Sequence, residues 1–323
     1  MIVNWRTAEL VCDCLRSLSP EISALKSCKV VVVDNDSQDG SADAIECLID
    51  REDWAGWARV IRAESNLGFA AGNNTGIRDT LAAGSSPDFI LLLNPDTYIR
   101  PGAVTVLADF LLKHESVGIV GGRSEDPDGT PQHCCFRFPN IVSEAADELD
   151  LGIIDRLATR YVVSIDIPEA PMQVDWVSGA AMMVRTELFE QIGLMDESFF
   201  LYYEETDFAF RASRAGWACW HVPQSRVVHL VGQSSGIEKR GAPPMRVPSY
   251  WFESRRRFFL LNHGLPYTVL TDLLVVFACV LSGLRGAIQR GRRRRAPGYF
   301  GDFLRNSVLM KGRGGLSPRK TAM

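Results

Sequence analysis

Several common ligand-binding signatures are missing from this 323-residue sequence. The eight cysteines include no C-x-x-C pair and no framework spacing, which argues against a zinc site and against a disulfide scaffold. No G-x-G-x-x-G fingerprint follows the first strand, which argues against an NAD enzyme. No basic and apolar leader precedes that strand, so we expect a cytoplasmic protein with reduced cysteines.

Charge is distributed unevenly along the chain. Residues 240–323 carry 16 Lys and Arg against 3 Asp and Glu, a net charge of +13, so residues 1–239 carry −17 within the total of −4. The chain is 46% hydrophobic and long enough for one large or two fused domains. An acidic body with a strongly basic tail indicates an anionic partner for the tail, either nucleic acid or a membrane.

Strand and helix patterns alternate along the first hundred residues. Apolar runs such as KVVVVDN and FILLLN are separated by helical stretches that begin near Thr7, after Ser41 and near Phe69. Further helices are predicted at Gly102–His114 and Thr186–Ile192. The alternation predicts a parallel sheet with crossover helices, and strands without polar alternation indicate a sheet covered on both faces.

Three polar segments follow strands of this predicted sheet. Asp34 ends one strand, the glycine- and asparagine-rich segment 65–77 opens a helix, and ILLL stops at Asn94-Pro95-Asp96. Each segment also has a simpler explanation, as turn residues or as helix–sheet packing through Gly68 and Gly72. Because the carboxyl ends of successive β/α elements meet at one edge of a sheet, we expect the three segments to form one pocket.

The sequence resembles the inverting glycosyltransferases of family 2, and among them the rhamnosyltransferase-like members. The resemblance covers about residues 1–240 and implies the α/β GT-A fold, with a mostly parallel central sheet flanked by helices. The family's first strand normally begins several residues before IVNW, so the sequence is expected to begin at a late start codon, which would weaken the first strand. The matching segments are VNW (3–5), VVDNDSQDGS (32–41), NLGFAAGNNTGI (66–77), LLLNPDT (91–97), VSGAAMMVRTELFEQIGLMDESFFLYYEETDFAFR (177–211) and VVHLVGQSS (227–235).

The resemblance implies a division of the chain into three units. Residues 1–120 would form the nucleotide-sugar-binding half and residues 121–240 the acceptor and catalytic half. Residues 241–323 would form a helical, basic and apolar extension that associates with a membrane. Within the first half, Asp34 matches the contact to the nucleobase and ribose, and Asn66, Gly68 and Asn73 lie in the segment that cradles the nucleotide.

A metal site is also implied by the resemblance. Asn94-Pro95-Asp96 replaces the family's D-x-D element, so Asp96 would bind the divalent metal on the donor diphosphate. Asn94 would reach the ribose, or the metal through water. His229 matches a residue that completes the metal site in several similar enzymes, although a satisfied histidine at a sheet edge is the alternative. Oxygen ligands with one imidazole suit Mn²⁺, with Mg²⁺ as the second candidate.

The segment YYEETDFAFR provides the candidate catalytic residues. Acidic residues in a first helical turn are explained by the helix dipole alone, and Asp207 with Arg211 predicts an i,i+4 ion pair. The resemblance assigns the catalytic base to Glu205, with Glu204 as a possible substitute. It also places Gly179 under the acceptor site, although core packing explains this small residue equally well. Asp175 and Trp176 are weaker candidates for acceptor contacts.

The tail contains an apolar run, Leu273–Leu284, with Arg255–Arg257 before it and Arg292–Arg295 after it. The run is about a dozen residues long, which is too short to span a bilayer. It predicts a helix lying on an anionic membrane surface rather than a nucleic-acid arm, with a buried core helix as the alternative.

The expected function is therefore transfer of a sugar, with rhamnose as a candidate, from a nucleotide-diphosphate donor to a glycan or polyprenyl-linked hydroxyl. The enzyme is expected to lie peripherally at the inner face of the cell membrane and to bind no nucleic acid. A nucleotidyltransferase would need an early glycine-rich loop with Arg or Lys, which VNWRTAELVC lacks. A membrane-anchored pseudoenzyme that binds sugar nucleotides would differ from an enzyme by the absence of donor turnover.

Overall fold

The first part of the chain alternates strands with helices, as its apolar pattern predicts. The structure is a computed structural model that describes residues 1–25, 27–84, 86–149, 161–230, 245–288 and 296–323. The elements up to residue 113 are β1 (Ile2–Asn4), α1 (Ala8–Ala24), β2 (Val30–Asp34), α2 (Ser41–Arg51), β3 (Ala58–Arg62), α3 (Phe69–Ala82), β4 (Phe89–Leu93), β5 (Thr97–Ile99) and α4 (Ala103–Lys113).

The remainder of the chain adds strands to the same sheet and then becomes helical. Its elements are β6 (Val117–Glu125), β7 (Cys135–Phe136), α5 (Ile141–Leu149), β8 (Met172–Val174), β9 (Trp176–Val177), β10 (Ala181–Arg185), α6 (Thr186–Ile192), α7 (Glu204–Arg214), β11 (Ala218–His229), α8 (Ser249–His263), α9 (Leu265–Ile288), α10 (Tyr299–Asn306) and α11 (Val308–Lys311).

The central sheet has the strand order β3-β2-β1-β4-β10-β6-β11-β5, with β8 paired to β11. β3, β2, β1 and β4 run parallel, and β10 lies antiparallel between β4 and β6. All five residues of β2 are buried, because helices cover both faces of the sheet. The predicted α/β sheet flanked by helices is confirmed.

Strand ends place the polar segments at one edge of the sheet. β1 has three residues, and it pairs with both β2 and β4. Asn4 stands opposite Asp34 in that register. β5 runs antiparallel to β11, and this pairing sets His229 opposite Thr97, the residue after Asp96. The parallel pairing of β1 with β2 thus brings Asn4 to Asp34. The antiparallel pairing of β5 with β11 brings His229 to the same edge of the sheet.

The arginines before the apolar run are buried, which corrects the prediction that they flank a membrane-facing segment. Arg255 forms ion pairs with Glu144 of α5 and Asp272 of α9, and Arg257 forms one with Asp196. A buried carboxylate needs such a partner, so these arginines neutralise acids inside the fold. Arg292–Arg295 and the boundary at residue 240 lie outside the described residues.

Helix α9 is longer than the apolar run indicated. It has 24 residues, and Leu265–Arg285 is the one helix among the described residues that is long and apolar enough to cross a membrane. The argument that the segment is too short to span is therefore wrong, because the helix extends beyond the run in both directions. Length and composition are the only properties behind this finding.

Candidate active site

Asp34 is a buried carboxylate that its neighbours hold in one orientation. Its Oδ1 accepts hydrogen bonds from Asn4 Nδ2 and Ser37 Oγ, both over 2.6 Å, and its Oδ2 accepts the Ser37 N–H over 3.2 Å. Asn4 stands at the end of β1 and Ser37 in the turn after β2. The sequence motifs contain both residues, but no role was predicted for either of them.

Asn35 links the end of β2 to the start of α3. Its Nδ2 donates to Asn66 Oδ1 over 2.9 Å and to the Gly68 carbonyl over 3.1 Å. Gly68 has a φ of +95°, and a Cβ at this position would overlap the carbonyl group of Phe200. The glycine therefore permits close approach of another backbone. The contact between Gly68 and Phe200 joins the start of α3 to the segment before α7.

Two other residues of this segment serve the helix itself. Asn73 is almost completely buried, and its Nδ2 donates to the Phe69 carbonyl one turn earlier in α3. A Cβ on Gly72 would meet the Val3 side chain, so this glycine serves helix–sheet packing. The two asparagines of this segment therefore have different positions. Asn66 holds the loop before α3 through Asn35, and Asn73 lies within the helix.

Asp96 and His229 lie next to each other, as the metal hypothesis requires. His229 Nε2 is 3.5 Å from Asp96 Oδ1 and 3.5 Å from Asn94 Nδ2. Two ligands of an octahedral cation are typically about 3 Å apart, so a carboxylate and an imidazole in this position fit one ion. No group of three or more His, Cys, Asp or Glu suited to a metal occurs among the described residues. The remaining ligands would have to come from the donor and from water.

Glu205 lies at the start of α7 and is held by a backbone amide. The Gly179 N–H donates to its Oε1 over 3.2 Å, and a Cβ on Gly179 would overlap that oxygen. The two residues before α7, Tyr202 and Tyr203, have φ values of +68° and +69°. Such left-handed backbone costs about 1–3 kcal/mol per residue and often occurs at functional sites.

The two adjacent acids differ in protonation. Burial and the nearby charge of Glu205 raise the pKa of Glu204 well above its usual value, so Glu204 is the protonated member of the pair. Burial also raises the pKa of Glu205, while hydrogen bonds from Glu204 and from the Gly179 amide work in the opposite direction. Glu205 is therefore the more acidic member of the pair, and it is the residue that the family resemblance assigned as the base.

One dipeptide joins the acid pair to the metal turn. Gly179 binds Glu205 through its N–H, and the carbonyl of the next residue, Ala180, accepts the Asn94 N–H over 3.1 Å. Asn94 and Asp96 share the turn after β4. The arrangement combines a carboxylate, an Asp–His pair that could hold a cation and buried polar groups at one sheet edge, which suits transfer of a group from a phosphorylated donor to a hydroxyl.

Comparisons with known proteins agree with this chemistry. Residues 1–133 match the profile of glycosyl transferase family 2. Over 236 residues the chain is 28% identical to the N-acetylglucosaminyl-diphospho-decaprenol L-rhamnosyltransferase of Mycobacterium tuberculosis, covering 69% of this chain and 72% of the relative. It is 26% identical to the dTDP-rhamnosyl transferase RfbF of Shigella flexneri, with 86% of each chain covered. The family match and these relatives together support a rhamnosyltransferase-like protein of glycosyltransferase family 2.

The fold of this chain is also found among solved structures. The mannosyltransferase PcManGT from Pyrobaculum calidifontis, solved with GDP-Man and Mn²⁺, aligns with a TM-score of 0.54 over 96% of this chain and 81% of its own. Sequence identity is 15%. The alignment confirms the GT-A fold.

The candidate acceptor residues of the glycosyltransferase lie around β7 and β9. Asp175 Oδ2 accepts the Phe138 N–H over 2.7 Å, and Trp176 Nε1 donates to the Arg137 carbonyl over 3.0 Å. The Trp176 ring stacks on Phe136 with a centroid distance of 4.2 Å. Both residues thus fix the segment beside Gly179, and the partly exposed Trp176 presents an aromatic surface there.

Asp207 anchors α7 through partners that are distant in sequence. Its carboxylate forms the predicted ion pair with Arg211 and also accepts from Asn262 of α8 and from Arg319. Burial works against its ionisation, but Arg211 and Arg319 lower its pKa below the usual value. Nothing in the sequence pattern indicated Arg319, because the contact joins residues that are more than a hundred positions apart.

Proposed function

We propose that this glycosyltransferase transfers a hexose from a nucleotide diphosphate to a hydroxyl group with inversion at the anomeric carbon. Rhamnose is the candidate sugar because the two relatives described above are named as rhamnosyltransferases. The proposal rests chiefly on the dipeptide Gly179-Ala180, which ties the charged Glu205 to the turn of Asp96. A single displacement requires that the general base and the leaving-group site are held at a fixed position relative to each other.

Glu205 acts as the general base in this proposal. Its carboxylate accepts the proton of the acceptor hydroxyl while the oxygen attacks the anomeric carbon from the side opposite the leaving diphosphate, and this direction of attack produces inversion. Glu204 keeps its own proton and donates a hydrogen bond to Glu205, which keeps the base oriented. A positioned general base typically contributes about 10²–10⁴-fold to a rate.

The donor is held at the strand ends. Asp34, fixed by Asn4 and Ser37, accepts hydrogen bonds from the ribose or the base. Asp96 and His229 would hold Mn²⁺ or Mg²⁺, with Asn94 beside them. When bound, the cation supplies Lewis-acid stabilisation of the negative charge that grows on the diphosphate.

The acceptor is proposed to be a glycan or a polyprenyl-linked saccharide. Trp176, stacked on Phe136 beside Gly179, offers an apolar surface against which the face of a sugar ring can pack. The small Gly179 leaves room next to Glu205. The M. tuberculosis relative is named for a decaprenyl-diphosphate-linked acceptor.

A donor panel tests the proposal. Purified protein is incubated with dTDP-rhamnose, UDP-glucose and GDP-mannose, each with Mn²⁺, Mg²⁺ or EDTA and with a polyprenyl-diphosphate N-acetylglucosamine acceptor. Release of nucleoside diphosphate and the mass of the product are then measured. We expect transfer from one donor, dependent on the cation, giving a product of inverted anomeric configuration. Donor binding without any release of nucleoside diphosphate would favour a sugar-nucleotide-binding pseudoenzyme instead.

A further inference from the structure

Helix α9 has its polarity reversed relative to a helix on the surface of a soluble protein. Its polar side chains Thr268, Thr271, Asp272 and Ser282 are buried against the rest of the protein. Its large apolar side chains instead face outward, with 37% to 63% of their surface exposed. These exposed residues are Leu270, Leu273, Leu274, Phe277, Val280 and Leu284.

These six residues, here called the apolar stripe, lie on one side of the helix. They recur at intervals of one, three or four positions, which is the spacing of a single helical face. From Leu270 to Leu284 the stripe extends for about 21 Å at the usual rise per residue. A soluble monomer rarely exposes so many contiguous apolar side chains, so the stripe indicates a binding surface.

A groove beside the stripe continues the apolar surface. It has a volume of about 280 Å³ and lies between α5 and α9. Its lining residues are Ile141, Val142, Ala145, Ala146, Leu149 and Leu274, all of them apolar. Leu274 belongs to both the groove and the stripe, so the two form one continuous face.

We propose that this face docks on an anionic membrane surface, with α9 lying in the plane of the membrane. Five arginines, Arg290 and Arg292–Arg295, follow the stripe within eleven residues of Leu284, and Arg285 adjoins it. An amphipathic helix with adjacent cations is suited to the boundary between acyl chains and anionic headgroups. Each basic residue near such a surface adds to the attraction, and salt screens it.

The opposite side of α9 explains why the helix lies on the membrane instead of crossing it. Asp272 is fully buried and paired with Arg255 of α8, and its Oδ2 also accepts the Val308 N–H over 2.7 Å. Insertion of α9 across a bilayer would have to break this pair or carry α8 along with it. An ionised carboxylate separated from its partner is costly in hydrocarbon.

Local contacts link α9 to the segment where the acceptor is proposed to bind. Tyr267 of α9 accepts the N–H of Ile141 at the start of α5. α5 follows β7, whose Phe136 stacks on Trp176 beside Gly179. Docking through this face would bring a lipid-linked saccharide towards Glu205. The membrane contact itself does not depend on the proposed function.

Vesicle flotation with the full chain tests the proposal. Vesicles contain phosphatidylcholine alone or mixed in equal parts with phosphatidylglycerol. The wild type is expected to float with the mixed vesicles at low salt, to bind less at high salt and to be released by alkaline carbonate. In L273E/F277E the bound fraction should fall by about tenfold or more, because two charges enter the apolar stripe. L112E places a charge on an exposed leucine of α4 and should bind like wild type.

Further measurements separate a lost contact from a lost fold. L270S/L284S, at the two ends of the stripe, should lose vesicle binding as well, while the thermal unfolding and dTDP affinity of all variants stay unchanged. Vesicle binding by L273E/F277E at the wild-type level would overturn the proposal, as would resistance to carbonate. A wild-type dimer that becomes monomeric in L273E/F277E, without vesicle binding, would identify the face as an interface between copies. Because flotation requires no donor, it can fail or succeed independently of glycosyl transfer.

Discussion

The amide of Gly179 donates to the carboxylate of Glu205 over 3.2 Å, and a Cβ at position 179 would overlap that carboxylate oxygen. The amide stabilises the charged form of Glu205 and fixes the direction of its Oε1. Because Glu205 lies in the first turn of α7 and Gly179 precedes β10, the contact aligns α7 with the sheet. The glycine is therefore part of the positioning of the base.

Gly179→Ala should lower the transfer rate by about tenfold to a hundredfold, because the new Cβ would displace the Glu205 carboxylate from its position beside the Gly179 amide. Donor affinity, measured by calorimetry with a nucleoside diphosphate, should stay unchanged. Gly56→Ala is the matched control, since a Cβ there meets nothing within 4 Å. Equal rates for Gly179→Ala and Gly56→Ala would rule out this positioning role.

Glu205→Gln should retain donor binding and lose about 10²–10⁴-fold in transfer rate, which is the typical contribution of a general base. Glu204→Gln should lose much less, because Glu204 is already protonated beside Glu205. Both rates are measured under saturating donor and acceptor. An inactive Glu204→Gln with a nearly normal Glu205→Gln would move the base by one position.

The raised pKa of Glu204 has a consequence for stability. Unfolding releases this proton above the ordinary pKa of 4.5, so burial of Glu204 costs progressively more as the pH rises above that value. Glu204→Gln should therefore raise the thermal unfolding temperature at neutral pH, and the gain should disappear below about pH 4.5. Thermal unfolding followed by circular dichroism across this range checks the sign. A gain that is independent of pH would point to improved packing instead.

Asp96→Asn and His229→Ala should each weaken the binding of Mn²⁺ in the presence of a nucleoside diphosphate, because each removes one of two adjacent ligands. Loss of a ligand should also remove most of the transfer activity. Electron paramagnetic resonance of free Mn²⁺ measures the affinity directly. His114→Ala serves as the control, since His114 is exposed and packs on Phe110 of α4. Full activity of wild type in EDTA would contradict the metal assignment.

Arg319→Met should destabilise the protein by about 1–2 kcal/mol, because the buried Asp207 then keeps Arg211 and Asn262 as partners but loses one charge. Since Arg319 helps to lower the pKa of Asp207, this loss should be complete above the ordinary pKa of 3.8 and should vanish as the pH falls further. Urea unfolding at neutral and acidic pH measures it. Lys320→Ala, an exposed neighbour, should behave like wild type.

Local patterns in the sequence predicted much of the fold and the gathering of strand-end carboxylates at one edge of the sheet. The apolar run of β2 indicated a strand covered on both faces, and the parallel order brought Asp34 to the same edge as Asp96. His229 could be placed beside Asp96 only through the resemblance to a family. The antiparallel register of β11 with β5 supplies the physical reason for that proximity.

The parts that the sequence did not predict depend on contacts between distant segments. Arg255–Arg257 looked like a surface charge cluster, since no local signal shows that Glu144, Asp196 and Asp272 lie opposite them. The support of Asp207 by Arg319 has the same origin. Charge patterns along the chain describe exposed surfaces well, but they cannot reveal a buried partner that comes from another element.

The contacts of residues 317–322 also have a consequence for the order of synthesis. Arg257 donates to the carbonyl of Ser317, Arg319 pairs with Asp207, and the Leu194 N–H donates to the Thr321 carbonyl. The strand-end residues Asp34 and Asp96 emerge with the first β/α units, well before His229. The helix that carries Glu205 gains its full support only after Arg319 has been translated. The last stretch of the chain to be synthesised is therefore needed to complete the contacts of α7.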